Sequence, residues 1–452
     1  MLFLSKVATL FHMDNTKGKV VRNLSWALLG KIVNLLSSLI VGILVARYLG
    51  VEQYGLMNYV ISFVLLFQII SSFGLDNIES REEARSVVDV NTIIGTAFGL
   101  RVLLGIICTI ACVVTSCIME SDSTTIIFVA IYSSSIMFNT LIVIRNYYYA
   151  IVENKKVVLS EISRTCIGVL IKVVLLLFSA PLIWFIIACA FDFLLVGSGY
   201  VLFYLKESNS IRKWTFSQSY ALFLLKESFP LLLTSTAVIV YQRIDQVMIG
   251  QLIDGPGHKE QVGFFSVASR FVEILIYIPM LLSRTINPIL VRVRERSEEE
   301  YKQKAQYFMN VSFWGTLFMS ILVSITAYWL VVPLFGKAYI LAVPILQVMS
   351  FKAASVALSS SAGGMLVAER LQKYAFYRDS LGCLSCIVLN WVLLPKYGAI
   401  AAAVVAILSN VVAGYFADAL IPAYRHIFIQ QTKTILFGWK DAYLLIYKTV
   451  KA

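Results

Sequence analysis

A chain of 452 residues with 59% hydrophobic and 14% charged residues and a mean hydropathy of +0.80 departs from soluble domains, in which about a quarter of residues are charged. Such a composition excludes an ordinary soluble enzyme and identifies an integral membrane protein. The net charge of +12 does not point to nucleic acid, because the excess is spread over short loops where membrane topology alone accounts for it.

Residues 1–23 read as a cytoplasmic surface segment. Lys6, Asp14, Lys17 and Lys19 interrupt the short apolar start, so no signal peptide is expected. A membrane-spanning helix needs about 20 mostly apolar residues, and twelve such stretches follow. The first six run Leu24 to Ala46, Gly55 to Gly74, Thr92 to Thr115, Thr125 to Ile144, Val157 to Phe178 and Pro181 to Tyr204. The second six run Phe229 to Leu252, Gly263 to Arg284, Phe308 to Val332, Ile340 to Ser361, Ala375 to Leu394 and Gly398 to Leu420. The tail from His426 alternates apolar with basic residues and reads as a cytoplasmic interfacial helix.

The two sets of six are copies. Glu52-Gln53-Tyr54-Gly55 opens the second span, and Glu260-Gln261-Val262-Gly263 opens the eighth at an offset of 208. Arg164, Gly168 and Pro181 return with the same spacing as Arg378, Gly382 and Pro395. Such a repeat fixes the architecture before any local reading. The expected domains are a bundle over 24–213, a second over 214–421 and a basic tail over 422–452. An even number of crossings per copy makes this a parallel repeat, with its axis along the membrane normal. Of the 38 Lys and Arg residues, 28 fall on the side of both termini, so both termini are expected in the cytoplasm.

The remaining motif classes are empty. His12, His258 and His426 are scattered, so no metal site is expected, and there is no phosphate-binding loop of the ATPase type. The seven cysteines fall in apolar segments, where Cys383-Leu-Ser-Cys386 has a redox spacing without a redox context.

Charge inside the spans carries the functional signal, because an ionisable side chain at the bilayer centre costs about 2.5–3.5 kcal/mol on insertion scales. The cationic candidates are Lys31, Arg101, Lys172, Arg243, Arg270 and Lys352, and the anionic ones are Asp192, Asp245 and Glu273. The excess is positive, which suits an anionic ligand. On the eighth span Ser266, Arg270, Glu273 and Tyr277 share one helical face. Arg270 is expected about 10 Å below the outer boundary. It faces a ligand or pairs with Glu273. On the first span Lys31, Asn34 and Ser38 share a face, where Lys31 either lines the lumen or snorkels. Arg243 with Asp245 is a gate or coupling pair, or an ion pair between helices. Lys352 and Arg101 are further lumen candidates, and Lys172 with Asp192 reads as a structural pair.

The stretch Asn23 to Asp76, above all Ala46 to Gly55 with Phe73-Gly74-Leu75-Asp76, closely resembles the opening of bacterial polysaccharide flippases of the Wzx type. These belong to the polysaccharide-transport branch of the multidrug, oligosaccharidyl-lipid and polysaccharide (MOP) exporter superfamily. The resemblance covers nearly the whole chain and implies an all-α, MATE-like fold of two six-helix bundles in a bacterial inner membrane. It implies a non-enzymatic carrier that moves an undecaprenyl-pyrophosphate-linked oligosaccharide from the cytoplasmic to the outer leaflet by alternating access, for O-antigen or capsule biosynthesis. The pyrophosphate and glycan would cross in a cationic cavity between the bundles, with Arg270, Lys31 and Arg243 as donors and Lys352, Arg101 and Asn34 beside them. No cofactor is implied. Energy would come from a proton or sodium gradient, with Asp245 or Glu273 as the coupling carboxylate, or from removal of product. The bilayer, a polysaccharide polymerase and chain-length machinery are the other implied partners of what would be a monomeric transporter.

Three alternatives stay open. A cation-coupled multidrug antiporter calls for an acidic cavity, and this one leans basic. A lipid II flippase has two more helices. A membrane glycan polymerase needs a longer outer loop than 254–261 supplies.

Overall fold

The structure is a computed structural model. It describes residues 15–85, 87–207, 209–253, 257–371 and 374–441, with the side chains of 15–29, 31 and 32 outside the description. The first helix, α1 (Asn15–Ser72), consists of two arms that meet at Gly50, where φ is 73° and ψ is 176°. No atom lies within 4 Å of the position a Cβ would take there. Backbone conformation, not space, therefore requires glycine at this hinge.

Short α2 (Leu75–Arg85) follows, then α3 (Val90–Met119), α4 (Ser123–Phe138), a 3₁₀ turn at Asn139–Leu141, α5 (Ile142–Ala150), α6 (Asn154–Leu177) and α7 (Leu182–Lys206). The second copy is built from α8 (Gln218–Leu252), α9 (His258–Arg296), α10 (Glu298–Phe335), α11 (Ala342–Met349), α12 (Lys352–Ala368), α13 (Ala375–Tyr397), α14 (Ala399–Val411) and α15 (Ala417–Leu420). The tail helix is α16 (Arg425–Phe437).

Ten stretches of described residues are long and apolar enough to cross a membrane. The first of them, Val33–Arg85, is folded in two at Gly50. Helix α6 adds another crossing, since its 24 residues reach about 36 Å at the helical rise, although Arg164 and Lys172 dilute its hydropathy. Twelve crossings result, as expected.

Several helices outrun their apolar windows. Helix α9 continues to Arg296, and α10 starts at Glu298 after Ser297, whose side chain accepts a hydrogen bond from the Glu300 backbone N–H. Pairs Lys302–Glu298 at 3.1 Å and Lys304–Glu300 at 2.6 Å support the charged turn. Capping and i,i+4 pairing thus extend these helices where hydropathy is silent.

By compactness the chain divides into two units. The first comprises the described parts of Met1–Gly42, Ile70–Thr115 and Ala130–Leu231, the second those of Ile43–Ile69, Ser116–Val129 and Leu232–Ala452. The first has a core of Leu75, Ile94, Val143, Tyr148, Tyr200 and Leu224. Beside it, Arg101 is 3% exposed and Glu79 is fully buried. Arg101 Nε donates to Glu79 at 2.8 Å and Nη2 to Asp76 at 2.6 Å. Asn146 Nδ2 donates to both carboxylates. Asp76 ends the Phe-Gly-Leu-Asp stretch, so Gly74, at φ 70°, turns the chain and delivers it to Arg101.

In the second unit the two Glu-Gln-X-Gly motifs meet. A methyl group added at Gly55 would lie 1.8 Å from the Lys259 carbonyl oxygen, and one at Gly263 would lie 2.4 Å from the Val51 carbonyl oxygen. Residues 51 and 55 are each offset by 208 from 259 and 263, so the crossing is reciprocal. Small residues let membrane helices approach to backbone contact. Tyr339 braces the crossing by donating its hydroxyl to the Ala46 carbonyl at 2.8 Å and packing edge-on against Tyr54 and Phe264.

A polar latch lies beside this crossing. Lys259 Nζ reaches Asp122 Oδ2 at 2.9 Å and Thr125 Oγ1 at 3.2 Å. Gln251 Nε2 donates to the Tyr59 hydroxyl at 2.6 Å, and both Tyr59 and Gln251 bond Glu120. The hydrogen bond from Lys259, with Thr125 behind it, holds the Asp122 carboxyl below the usual carboxylate range. The bridge is therefore charged at neutral pH and is lost only as pH falls through that lowered value.

Helix α16 is more than an interfacial helix. Gln431 and Thr434 are fully buried, and Gln306 and Trp314 of α10 bond Thr434 at 2.8 Å. The rest of the expected amphipathic tail, from 442, lies outside the described residues.

Removing the Arg101 guanidinium leaves Glu79 buried without a counter-charge, a loss of about 3–5 kcal/mol. Arg101→Met should therefore melt well below the wild type in detergent. Adding Glu79→Gln should restore much of the difference, and thermal unfolding of the single and double variants checks both.

Candidate functional site

The expected site residues separate into four groups. Arg101 is committed to Glu79 and Asp76, so the structure removes it from the free cationic donors. Its partner Glu79 sits 22 residues upstream on another helix, a pairing that only the folded chain creates. Lys172 pairs with Asp192 at 2.6 Å, as their depths on consecutive spans suggest.

A second group lies on α8 and α9. Arg243 Nη2 meets Glu273 Oε1 at 3.0 Å, and the two side chains are 36% and 45% exposed. Residues 243 and 245 point to different sides of α8, since i and i+2 do not face each other on a helix. The expected Arg243–Asp245 pair is thus replaced by Arg243–Glu273. Arg243 is about 14 Å from the end of α8 at Leu252 and Glu273 about 22 Å from the start of α9, by the helical rise. An accessible ion pair therefore stands deep within two spans. Arg270, one turn from Glu273, is half-buried. Ser266 is 2% exposed with its hydroxyl unpartnered, so the polar stripe on α9 runs from a buried to an accessible end.

Asp245 belongs to the third group. It is 1% exposed, and Asn390 and Cys386 beside it are fully buried. Asn390 Nδ2 donates to Asp245 Oδ1 at 2.6 Å and Cys386 Sγ lies 3.4 Å from the same oxygen. Asp245 Oδ2 and Asn390 Oδ1 have no hydrogen-bond partner among the described residues. Lys352, 6% exposed, acts on this carboxylate electrostatically. It begins α12 directly after a break at Ser350–Phe351 that splits the tenth span. The Ser350 carbonyl accepts from the Ala353 backbone N–H at 3.2 Å and also from Ser320 Oγ at 2.8 Å, so the backbone stays satisfied inside the protein through this turn.

The first unit has its own polar feature. A cavity of about 270 Å³ is lined by Asn34, Asn139, Arg145, Glu161, Arg164, Asp192 and Tyr200, with Phe138, Ile142, Phe193, Val196 and Gly197. It adjoins the 3₁₀ turn that interrupts the fourth span. A methyl at Gly197 would lie 2.7 Å from Leu141, and one at Gly168 would lie 2.3 Å from Asp192 Oδ1. Those two glycines admit the turn and the carboxylate. Asn34 is the one expected site residue on this wall, while Lys31, one turn away on α1, has its side chain outside the described residues. Arg145 and Arg164 add to the basic excess that the topology rule already accounts for, and Asn139 lies inside an apolar window. The polar Asn139 in mid-span is the signal that could have found this cavity.

Comparison with known proteins follows the same lines. The model of the polysaccharide biosynthesis protein family matches residues 20–285. Among curated proteins, no sequence matches this chain. Of solved structures, the lipid II flippase MurJ in an inward closed conformation superposes with a TM-score of 0.70 at 13% identity, covering 96% of this chain and 100% of MurJ. An inward-facing multidrug resistance MATE family transporter of the MOP superfamily gives 0.66 at 13% identity, over 89% and 96%. A MOP superfamily transporter from Pyrococcus furiosus gives 0.55 at 11% identity, over 91% and 93%. At these identities the likeness shows the fold, an all-α multi-pass membrane protein of MOP type. The family match covers more than half of the chain, which makes this protein a member of the polysaccharide biosynthesis protein family.

Proposed function

We propose that the protein is a flippase that carries an undecaprenyl-pyrophosphate-linked oligosaccharide from the cytoplasmic to the outer leaflet of the bacterial inner membrane, for surface polysaccharide synthesis, with both termini cytoplasmic. The observation that carries this reading is the accessible Arg243–Glu273 pair within two spans of a polysaccharide biosynthesis family member. Charges at that depth facing acyl chains would cost several kcal/mol, so they favour a wet surface. Arg270 beside them supplies a donor for a pyrophosphate that gives up water on the way through. Lys31 and Asn34 remain candidate donors on the first helix.

Asp245 is the carboxylate we propose for energy coupling, in preference to Glu273. It is buried, one of its oxygens is open, and Lys352 stands near as an alternative counter-charge, so gain of a proton or sodium ion would rebalance the cluster. Glu273 already has Arg243. The Lys259–Asp122 latch and the glycine crossing would seal the outer end of the path and open once per cycle.

A cell lacking the protein should accumulate lipid-linked repeat units on the cytoplasmic leaflet. Arg270→Ala should insert normally yet fail to restore export, and full export by that variant would remove Arg270 from the path. Uptake of cationic dyes by vesicles holding the pure protein, with no movement of lipid-linked glycan, would instead favour a drug transporter.

The latch yields a separate expectation. In a chain with its seven native cysteines replaced, the pair Asp122→Cys and Lys259→Cys should stop transport when cross-linked and recover it on reduction. Unchanged transport in the cross-linked state would show that this latch does not open during the cycle.

A further inference from the structure

The cavity in the first unit differs chemically from the cationic residues on α8 and α9. Its two arginines, Arg145 and Arg164, are matched by two carboxylates, Glu161 and Asp192. A phosphate site needs a surplus of positive donors, and this wall has none. It does hold unspent hydrogen-bonding capacity. Asn34, Asn139 and Glu161 put amide and carboxylate groups on the wall, and Arg145 Nε is buried without a partner among the described residues. Arg145 is otherwise held in place, with Nη2 3.2 Å from Asn146 Oδ1 and 3.5 Å from Asp76 Oδ2. Asp192 is fixed by Lys172.

Phe138, Phe193 and Tyr200 add flat apolar faces. Carboxylates and amides that accept from hydroxyls, arginines that donate to them, and rings that cover C–H surface form the wall a neutral sugar requires. The volume of about 270 Å³ lies just under the usual range of small-molecule sites, about 300–1,000 Å³. It suits one ring, not a whole oligosaccharide. Position supports the same reading, because interrupted spans at corresponding places in two repeats point to binding sites in transporters. The fourth span tightens into a 3₁₀ turn at Asn139–Leu141 against this cavity, and the tenth turns at Ser350–Phe351 directly before Lys352.

We propose that this cavity is a monosaccharide subsite that takes one uncharged sugar ring of the cargo, with Glu161 and Asn139 as hydroxyl partners and Arg164 bridging to ring or acetamido oxygens. The cavity takes no part in holding the pyrophosphate. The inference rests on the flippase reading for its biological meaning, but not for its test.

Purified full-length protein in lipid nanodiscs would be titrated with a panel of free neutral hexoses and N-acetylhexosamines, and separately with inorganic pyrophosphate, using saturation-transfer NMR on the sugar ring protons. At least one neutral sugar should bind, and pyrophosphate should not displace it. Glu161→Gln and Asn139→Ala should each weaken binding about tenfold, the scale of one charge-assisted hydrogen bond. Phe193→Ala, which removes only a ring face, serves as a second variant if either fails to fold. Sugar bound as well by all three variants as by the wild type, or displaced by pyrophosphate, would overturn the subsite. Movement of lipid-linked glycan by vesicles whose protein binds no free sugar would overturn it too and leave the flippase reading intact. Sugar binding without glycan movement would do the reverse.

Discussion

Two glycines, 208 residues apart, set the closest approach in the second unit. Gly55 sits on the Lys259 carbonyl and Gly263 on the Val51 carbonyl, so neither can carry a side chain while the helices cross as they do. In lipid there is no hydrophobic gain in bringing helices together, and packing must supply the contact. The neighbouring polar groups follow from that approach. With the backbones touching, Lys259 can reach Asp122, and Gln251 can reach Tyr59 and Glu120. The left-handed Gly50 then aims the two arms of α1 so that Val51 and Gly55 arrive at the crossing.

The reciprocity of that contact has a mechanical meaning. Each copy of the motif supplies a backbone carbonyl to the glycine of the other, so the contact is nearly equivalent when the copies are exchanged. Such a crossing makes few directional bonds of its own, and the specificity rests on the latch beside it. Parting such a joint would free the lysine, carboxylate and amide ends of the latch, which water can solvate, together with the buried Tyr339 hydroxyl that braces the crossing. Near the core of the first unit the opposite holds. Arg101, Glu79, Asp76 and Asn146 form a network whose members cannot be released singly without a large penalty. That end of the bundle is built to stay whole.

Much of this was legible in the sequence where it depended on local chemistry. The doubling of Glu-Gln-X-Gly and the crossings of each copy can be read from spacing and apolar length. The importance of Asp76 could be suspected from its place after Phe73 and Gly74, but not its function as a partner for Arg101, because pairing between helices leaves no trace in either helix alone. The same limit hid the replacement of Arg243–Asp245 by Arg243–Glu273. Helical periodicity gives faces, while the neighbour a face meets is set by the fold. Arg145 and Arg164 were obscured for another reason. Their charges satisfy the topology rule so well that nothing in the sequence asks for a second use.

The breaks in the fourth and tenth spans draw these threads together. An unbroken helix in a membrane spends all its backbone groups on itself and offers a ligand only side chains. At Asn139–Leu141 and at Ser350–Phe351 the helix tightens into i→i+3 hydrogen bonds, and in each place polar side chains gather. Beside the first break charge is balanced around an open cavity. Beside the second, Lys352 and Asp245 are both buried, and Asp245 Oδ2 has no hydrogen-bond partner among the described residues. The repeats share a backbone plan and diverge in electrostatics. In the proposed reading a site for a neutral polar group lies in one copy and a coupling carboxylate in the other, each beside the same turn of the fold.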